Sequence, residues 1–131
     1  MNNIFYTSVE QSRKLLELGL NENTADMCYE YIEECDGNFP YYSEPSCHKQ
    51  EESNDIPCWS VGALINAMPK IITVNNQECY LRIYHTILGS IAIEYSTFEE
   101  NTLQYFDDKD LLAVIYYMTC WLLENNYIKK E

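Results

Sequence analysis

The most reactive side chains of the sequence are the neighbouring residues Cys47 and His48, with Cys58 ten positions further on. Thiolate sulfur and imidazole nitrogen are the ligands that zinc prefers in proteins. Together with Cys35 these residues give the spacing C-x11-C-H-x9-C, which lacks the short ligand spacing of zinc fingers and ribbons. We therefore keep a zinc site at Cys47, His48 and Cys58 as an alternative, and we expect free thiols and no cofactor.

A cysteine nucleophile is the second chemistry that these residue types allow. It needs a histidine base within hydrogen-bond reach, and His48 and His85 are the two histidines of the chain. No signature of a cysteine hydrolase flanks either of them. We expect His85 to be partly buried, because it shares a predicted strand face with Leu81 and Ile83. A small metal-dependent or cysteine-based enzyme stays an alternative, and we favour a protein that is not an enzyme.

Five carboxylates precede the last predicted helix and form a further set of candidate ligands. Oxygen-rich clusters can bind magnesium or calcium, but this spacing lacks the glycine of an EF-hand loop. Capping of the helix and interaction with its dipole account for these acids more simply, and we expect Asp107 or Asp108 to be the cap. The five residues are Glu99, Glu100, Asp107, Asp108 and Asp110.

The balance of charge excludes several classes of partner. The chain has 21 acidic and 8 basic residues, a net charge of −13. Binding to a phosphate backbone needs clustered Lys and Arg, so we predict neither a direct nucleic-acid partner nor an anionic membrane. A protein with a basic surface fits this charge. No signal peptide is visible, and no apolar run reaches the roughly 20 residues of a membrane span. The six cysteines should therefore be reduced, and we predict a cytoplasmic protein.

Apolar periodicity predicts a single α+β domain over residues 1–131, with a small antiparallel sheet of three to five strands packed against about three helices. The last helix is apolar nearly all round, so we expect it to be central in the core. The predicted helices cover residues 8–18 (with Thr7 as the cap), 61–68 (with Ser60 as the cap) and 109–125. The predicted strands cover residues 27–32, 71–74, 79–85, 91–96 and 103–106, with a tight turn at Asn75 and Asn76.

An irregular acidic loop is predicted at about residues 33–57. This stretch has no periodicity and contains three of the four prolines and seven acidic residues, and so long a loop in a small domain is typically functional or mobile. Tyr41 and Tyr42 suit a short strand that pairs back on residues 27–32. Because tyrosine is enriched at binding hot spots, we predict that the loop exposes a contact surface. Its residues are Tyr41, Tyr42, Glu33, Glu34 and Asp36.

A second aromatic surface is conceivable on the strand at 79–85. Tyr80 and Tyr84 flank Arg82 on one face of that strand, and the same hot-spot argument applies to them. The simpler alternative, which we favour, is that these tyrosines pack on the sheet as ordinary aromatic residues.

Three blocks of the sequence carry a resemblance. They are SVEQS at residues 8–12, followed by Leu15, Leu16 and Gly19; CWSVGALI at 58–65; and WLLENNYI at 121–128. Together they resemble a group of short proteins of gut Bacteroidetes and of their phages and other mobile elements, a group with no known activity. The resemblance implies a bacterial or phage protein of the cytoplasm and assigns no catalytic residue.

We therefore predict a non-enzymatic protein–protein interaction or regulatory protein with a protein partner. A narrower version is an acidic mimic of nucleic acid, built on carboxylates such as Glu30, Glu33, Glu34 and Asp36. The alternatives are the small enzyme described above and a homo-oligomeric structural protein, in which edge strands pair across the axis of a homodimer.

Overall fold

A computed structural model describes residues 5–33, 39–47 and 54–130 of the chain. These residues form an α+β fold, and none of their helices has the length and apolar character needed to cross a bilayer. The helices are α1 (Val9–Glu17), α2 (Val61–Ala67) and α3 (Leu111–Glu124). The strands are β1 (Met27–Tyr29), β2 (Tyr31–Ile32), β3 (Tyr41–Tyr42), β4 (Ile56–Cys58), β5 (Ile71–Val74), β6 (Gln77–His85), β7 (Ile91–Thr97) and β8 (Thr102–Asp108).

The largest sheet is an antiparallel meander of four strands in the order β5-β6-β7-β8. Asn75 and Asn76 have φ values of 52° and 66°, the positive values that a tight two-residue turn between β5 and β6 requires. Strands β6 and β7 pair from Cys79 opposite Thr97 to the far end of β6. These two strands are therefore central, and β5 and β8 are the edges.

The core lies between α3 and one face of this sheet, which confirms the predicted packing of the C-terminal helix. Ile93 and Tyr95 of β7 are fully buried in the same cluster as α3, and Trp59 and Leu64 close it on the side of α2. Burial of one large apolar side chain is worth about 1.5–3 kcal/mol, so this layer dominates the stability of the fold. The buried apolar residues of α3 are Leu112, Val114, Ile115, Met118, Leu122 and Leu123.

The cap of α1 is Ser8, whereas we predicted Thr7. Ser8 Oγ accepts the backbone N–H of Gln11 at 3.1 Å, and the Gln11 side chain accepts the backbone N–H of Ser8 at 2.9 Å. Thr7 is buried instead, and its Oγ1 accepts the backbone N–H of Trp59 at 3.1 Å. The prediction is off by one residue because both positions carry a hydroxyl. The hydroxyl of Thr7 instead joins the segment before α1 to the start of α2.

The cap of α3 is also displaced from its predicted position. Asp110 Oδ1 accepts the backbone N–H of Leu112 at 3.1 Å, which makes Asp110 the cap. Asp107 and Asp108, the predicted caps, still belong to β8. Strand β8 is longer than its apolar core suggests, because its pairing with β7 continues through these two acidic residues.

The predicted irregular segment at 33–57 contains regular structure. Strand β3 pairs with β2, with Tyr41 opposite Ile32 and Tyr42 opposite Tyr31, as the sequence suggested. Strand β4 begins within the segment at Ile56 and pairs with β1. The sequence does not reveal β4 because its middle residue is proline, which cannot donate to a ladder. Proline is tolerated here because β4 pairs with β1 as an edge strand.

The hydroxyl of Tyr95 provides a test of this core. It donates to the backbone carbonyl of Pro69 at 2.6 Å from a fully buried ring. We expect Tyr95→Phe to lower the free energy of unfolding by about 0.5–1.5 kcal/mol, the net contribution of one hydrogen bond, as measured by urea denaturation. The same change at the exposed Tyr117 of α3 is the control, with an expected effect within about 0.5 kcal/mol. Equal effects of both changes would contradict the proposed role of this bond.

Candidate functional site

Cys58 lies in β4 within a small buried cluster that includes Tyr29 and Ile56. Its Sγ donates to the backbone carbonyl of Thr7 at 3.3 Å. Burial raises the pKa of the Cys58 thiol to about 11, against the smaller opposing effect of its hydrogen bonds. The thiolate is the form that binds zinc or attacks a substrate. A thiol that stays protonated at neutral pH therefore fits a packing role better than either chemistry.

The remaining residues of the predicted metal site do not form a cluster that the structure describes. Cys47 is exposed, and His48 and Cys35 lie outside the described residues. Within the described ranges, no group of three His, Cys, Asp or Glu side chains is placed to hold a metal ion. The zinc hypothesis and the cysteine–histidine hypothesis for Cys47 and His48 stay predictions.

His85 is exposed, so the expectation of a partly buried histidine is wrong. It is the last residue of β6, and Ile83, on the same face of that strand, is itself 37% exposed. The core does not extend to this end of the sheet, and an alternating strand pattern cannot show where a covering helix stops.

The predicted contact surface of the irregular segment is only partly described. Glu34 and Asp36 lie outside the described residues, whereas Glu33 and Tyr41 are exposed. Exposure of Tyr41 agrees with a role in contact, although a single exposed tyrosine on a two-residue strand presents little area.

Tyr42 is half-buried and already engaged. Its ring lies 5.4 Å from the ring of Tyr31, and the Arg13 guanidinium lies over it at 5.5 Å. Its hydroxyl also accepts a hydrogen bond from Arg13 at 3.3 Å. These contacts give Tyr42 an internal role that joins β3 to α1.

The face of the four-stranded sheet opposite to α3 is a larger aromatic surface, which we call the open face. The register places Arg82, Glu94 and Tyr105 in one row across β6, β7 and β8. Tyr80 and Tyr105 are 38% and 40% exposed, so solvent reaches both sides of β7 on this face. The exposed or half-buried residues of the open face include Ile71, Glu78, Tyr80, Arg82, Tyr84, Tyr105 and Asp107.

Two tyrosines of the open face are oriented by carboxylates of their own strand. The hydroxyl of Tyr80 donates to Glu78 at 3.3 Å, and the hydroxyl of Tyr105 donates to Asp107 at 3.2 Å. The charge of Glu78 is the largest cause of the raised pKa of Tyr80. Both bonds are exposed to solvent.

Glu94 is the buried carboxylate at the centre of the open face. It accepts a hydrogen bond from Thr102 Oγ1 at 3.1 Å, and Arg82 Nη1 lies 3.9 Å from its other oxygen. A hydrogen bond to Glu94 and then partial burial raise the pKa of Tyr84 to about 12. The Arg82 guanidinium lies over the Tyr84 ring at 5.3 Å. Glu94 thus bonds to Thr102, pairs with Arg82 and influences the titration of Tyr84.

A cleft of about 290 Å³ lies at the end of the open face where the β5–β6 and β7–β8 turns meet. Tyr80 and Phe98 provide two aromatic rings, and Glu78 and Glu99 provide two carboxylates. Phe98 is 91% exposed. Carboxylates beside aromatic faces match the chemistry of a guanidinium or ammonium group, through ion pairing and cation–π attraction. We call this feature the aromatic–acidic cleft.

Sequence reasoning found part of this surface. Alternation along β6 placed Tyr80, Arg82 and Tyr84 on one face, but Glu94 was missed. The signal was present, because Glu94 is the only charged residue between positions 83 and 98, and a lone charge in a central strand needs partners. Phe98 and the β5–β6 turn line one cleft because of the topology of the meander, which local patterns do not contain.

Titration of Tyr84 tests the geometry around Glu94. We expect Glu94→Gln to lower the pKa of Tyr84 from about 12 towards about 10, the ordinary value, because an amide removes the negative charge that opposes ionisation. The measurement is an NMR titration of the tyrosine ring carbons. Glu99→Gln, which changes the net charge equally, is the control. An unchanged pKa of Tyr84 in Glu94→Gln would show that the two groups are not bonded.

Reaction with iodoacetamide tests the description of the thiols. We expect Cys47 to be alkylated rapidly in the native protein at pH 8, whereas Cys58 is protected by burial and by its raised pKa. Peptide mass spectrometry measures each rate, and the protein in urea is the control in which every cysteine reacts. Similar native rates for Cys47 and Cys58 would contradict the buried position of β4.

Comparisons of the chain with models of protein families, with curated protein sequences and with solved structures find no match. The resemblance to proteins of gut Bacteroidetes and their phages therefore stays a prediction. The geometry of the open face and of its cleft is the basis on which we assign a function.

Proposed function

We propose that the protein is a non-enzymatic interaction protein that binds a basic protein surface on its open face. The observation that carries the proposal is the aromatic–acidic cleft at the edge of an exposed, tyrosine-rich sheet face. The phage or mobile-element origin implied by the sequence resemblance belongs to the same proposal.

The aromatic side chains supply the contact area. Tyr80 and Tyr84 lie on β6 and Tyr105 lies on β8, on either side of the central strand β7, and tyrosine and arginine are enriched at binding hot spots. The hydroxyls of Tyr80 and Tyr105 donate to carboxylates of their own strands, which reduces the rotational entropy that these rings lose when a partner covers them. Pre-organisation of this kind leaves more of the contact energy available for binding.

The distribution of charge selects a basic partner. Glu78, Glu99 and Asp107 are exposed around the open face, whereas Arg82 on that face already lies opposite Glu94. The net charge of −13 adds a long-range attraction for basic surfaces. Such steering raises association rates more than it raises affinity, so binding should weaken as salt screens the charges.

The aromatic–acidic cleft gives the partner an anchor. An arginine side chain that enters it can stack on the rings of Tyr80 and Phe98 while its guanidinium pairs with Glu78 or Glu99. Recognition of one or two arginine or lysine side chains is the interaction that this shape and charge fit best.

Two other interpretations receive less support from the same geometry. A mimic of nucleic acid needs a row of exposed carboxylates, whereas Glu94 at the centre of the face is buried and bonded. Of the two tyrosines predicted to contact a partner, Tyr41 is accessible, whereas Tyr42 packs on Arg13 and Tyr31. Tyr41 is therefore a suitable control position.

Binding of a short arginine peptide tests the cleft directly. We expect the peptide Ac-Gly-Arg-Gly-NH₂ to shift the backbone amide resonances of Tyr80 and Phe98, because its guanidinium enters between them. The charge-neutral citrulline peptide is the matched control and should cause no such shifts. Glu78→Gln combined with Glu99→Gln should weaken binding of the arginine peptide by about tenfold, a loss of about 1.4 kcal/mol. Equal shifts with both peptides, or shifts centred elsewhere, would reject the cleft as a cation site.

Capture from a bacterial lysate tests the whole face. We expect Tyr80→Ala with Tyr105→Ala to remove the proteins that the wild-type chain retains at low salt, since loss of a tyrosine hot spot costs about 2 kcal/mol or more. Phe39→Ala with Tyr41→Ala removes two exposed aromatic residues elsewhere and should leave capture unchanged. The opposite pattern would move the binding surface to β3.

A further inference from the structure

The two edges of the four-stranded sheet differ in how they are protected against pairing with another strand. At one edge, β8 carries Asp107 and Asp108 and has an irregular register with β7. The side chain of Gln104 also accepts the backbone N–H of Tyr105 at 2.9 Å. Charged side chains and bulges are features that discourage the addition of a further strand. The β8 edge is therefore protected.

The β5 edge has none of these features. Strand β5 has the sequence Ile-Ile-Thr-Val, in which every residue is β-branched and none is charged, and such residues favour a strand. It pairs with β6 on one side only. Ile71 is 47% exposed and Thr73 is exposed as well. An edge of this kind is a template to which an extended peptide segment can add as a further strand.

The register shows which backbone groups of β5 point outwards. The backbone N–H of Leu81 donates to the carbonyl of Lys70 at 2.9 Å, and bonded and non-bonded pairs alternate along an antiparallel ladder. The next bonded pair therefore contains Ile72, whereas Ile71 and Thr73 belong to non-bonded pairs with β6. The N–H and carbonyl groups of Ile71 and Thr73 thus point away from β6, towards the position of an added strand.

The charges along β5 give an added strand a preferred direction. Glu78 lies opposite Thr73 and is exposed on the open face. Two cations lie towards the other end, since Lys70 directly precedes β5 and Arg82 lies further along β6 on the open face. A basic residue of the added strand is therefore favoured beside Thr73, and an uncharged residue is favoured beside Ile71.

A basic side chain of the added strand can reach the aromatic–acidic cleft. A strand beside β5 lies two inter-strand spacings from β6, roughly 9.5 Å. Thr73 is a small residue between this position and Glu78, so a long arginine or lysine side chain can cross it and pair with the carboxylate. Glu78 also lines the aromatic–acidic cleft. The edge and the cleft are thus continuous, and one extended segment can occupy both.

A second copy of the chain is a poorer occupant of this edge. The residues Ile71–Val74 contain no cation, so β5 of another copy would place no positive charge beside Glu78. Two chains of net charge −13 also repel each other. A basic segment of a different protein supplies both the backbone pairing and the complementary charge.

We infer that the basic partner adds an extended strand to the edge of β5, antiparallel to it, with an arginine or lysine beside Thr73 and an apolar residue beside Ile71. Antiparallel pairing continues the pattern of the sheet and is the more stable arrangement per residue. Because the two strands run in opposite directions, the partner segment has the order basic–x–apolar from its N-terminus. This mode of binding rests on the proposed function and specifies the conformation of the segment that is bound.

Amide hydrogen exchange of the full chain, measured by NMR, tests the added strand. The probe is the peptide Ac-Thr-Arg-Thr-Val-Thr-NH₂ at millimolar concentration, whose arginine and valine have the required spacing. We expect the peptide to slow exchange of the Ile71 and Thr73 amides by about tenfold or more, because both N–H groups become hydrogen-bonded. The amide of Leu88, in an exposed loop of the sheet, is the internal control and should exchange at an unchanged rate.

A peptide that is N-methylated at its arginine and valine is the matched control. It keeps every side chain but cannot donate the two backbone hydrogen bonds, so it should bind at least about tenfold more weakly. Thr73→Pro should likewise abolish binding of the unmodified peptide, since proline is tolerated at an outward position of an edge strand but cannot donate to an added one. Thr73→Val keeps the backbone N–H and should bind as the wild type does.

Three results would overturn the strand addition. They are equal binding of the methylated and unmethylated peptides, unchanged exchange of the Ile71 and Thr73 amides in the presence of the unmodified peptide, and slow exchange of these amides in the free chain that increases with protein concentration. The last result would assign the edge to a second copy.

The added strand and the cation site fail separately. Shifts of the cleft resonances by Ac-Gly-Arg-Gly-NH₂, without protection of Ile71 and Thr73 by the longer peptide, would reject the added strand and leave the cation site in place. Equal protection by the longer peptide and by its citrulline version would reject the cation site, and with it the proposed selection of a basic partner, and would leave the edge as a strand-binding site.

Discussion

The rest of the structure depends on the burial of one side of β7 by α3. Side chains alternate along a strand, so Ile93 and Tyr95 enter the core while Ala92, Glu94 and Ser96 belong to the other face. The strongly apolar helix packs on the first of these faces. Burial on that side of the sheet therefore supplies most of the hydrophobic stabilisation of the fold, and the opposite side is available for polar and aromatic residues.

The second face of the sheet is exposed, and Glu94 helps to hold its side chains in place. A four-stranded sheet with one open face must hold large side chains in place without a covering layer, and exposed tyrosines alone would rotate freely. A buried carboxylate is costly unless several groups bond to it. Here Thr102 donates a hydrogen bond to Glu94 and Arg82 forms an ion pair with it, and these contacts orient the centre of the face. The same bonds that satisfy the charge thus organise the surface that we propose for binding.

The sequence predicted the elements of this fold better than their ends or their assembly. The α+β class, the meander, the Asn75–Asn76 turn and the packing of α3 follow from periodicity and turn chemistry, which are local. The caps at Ser8 and Asp110 were displaced, because several adjacent residues have suitable oxygen atoms and tertiary contacts decide between them. Strand β4 was hidden by its proline. The aromatic–acidic cleft could not be predicted, since it joins two turns about 20 residues apart in the chain.

The acidity of the chain has a different meaning at each end of the sheet. At the aromatic–acidic cleft the carboxylates lie beside the rings that we propose contact a cation. At the opposite end, Asp108 and Asp110 accept backbone N–H groups where β8 leads into α3, so these acids satisfy the start of the helix. The same type of side chain therefore supports the fold at one end and supplies the proposed binding groups at the other, and the net charge alone cannot distinguish the two roles.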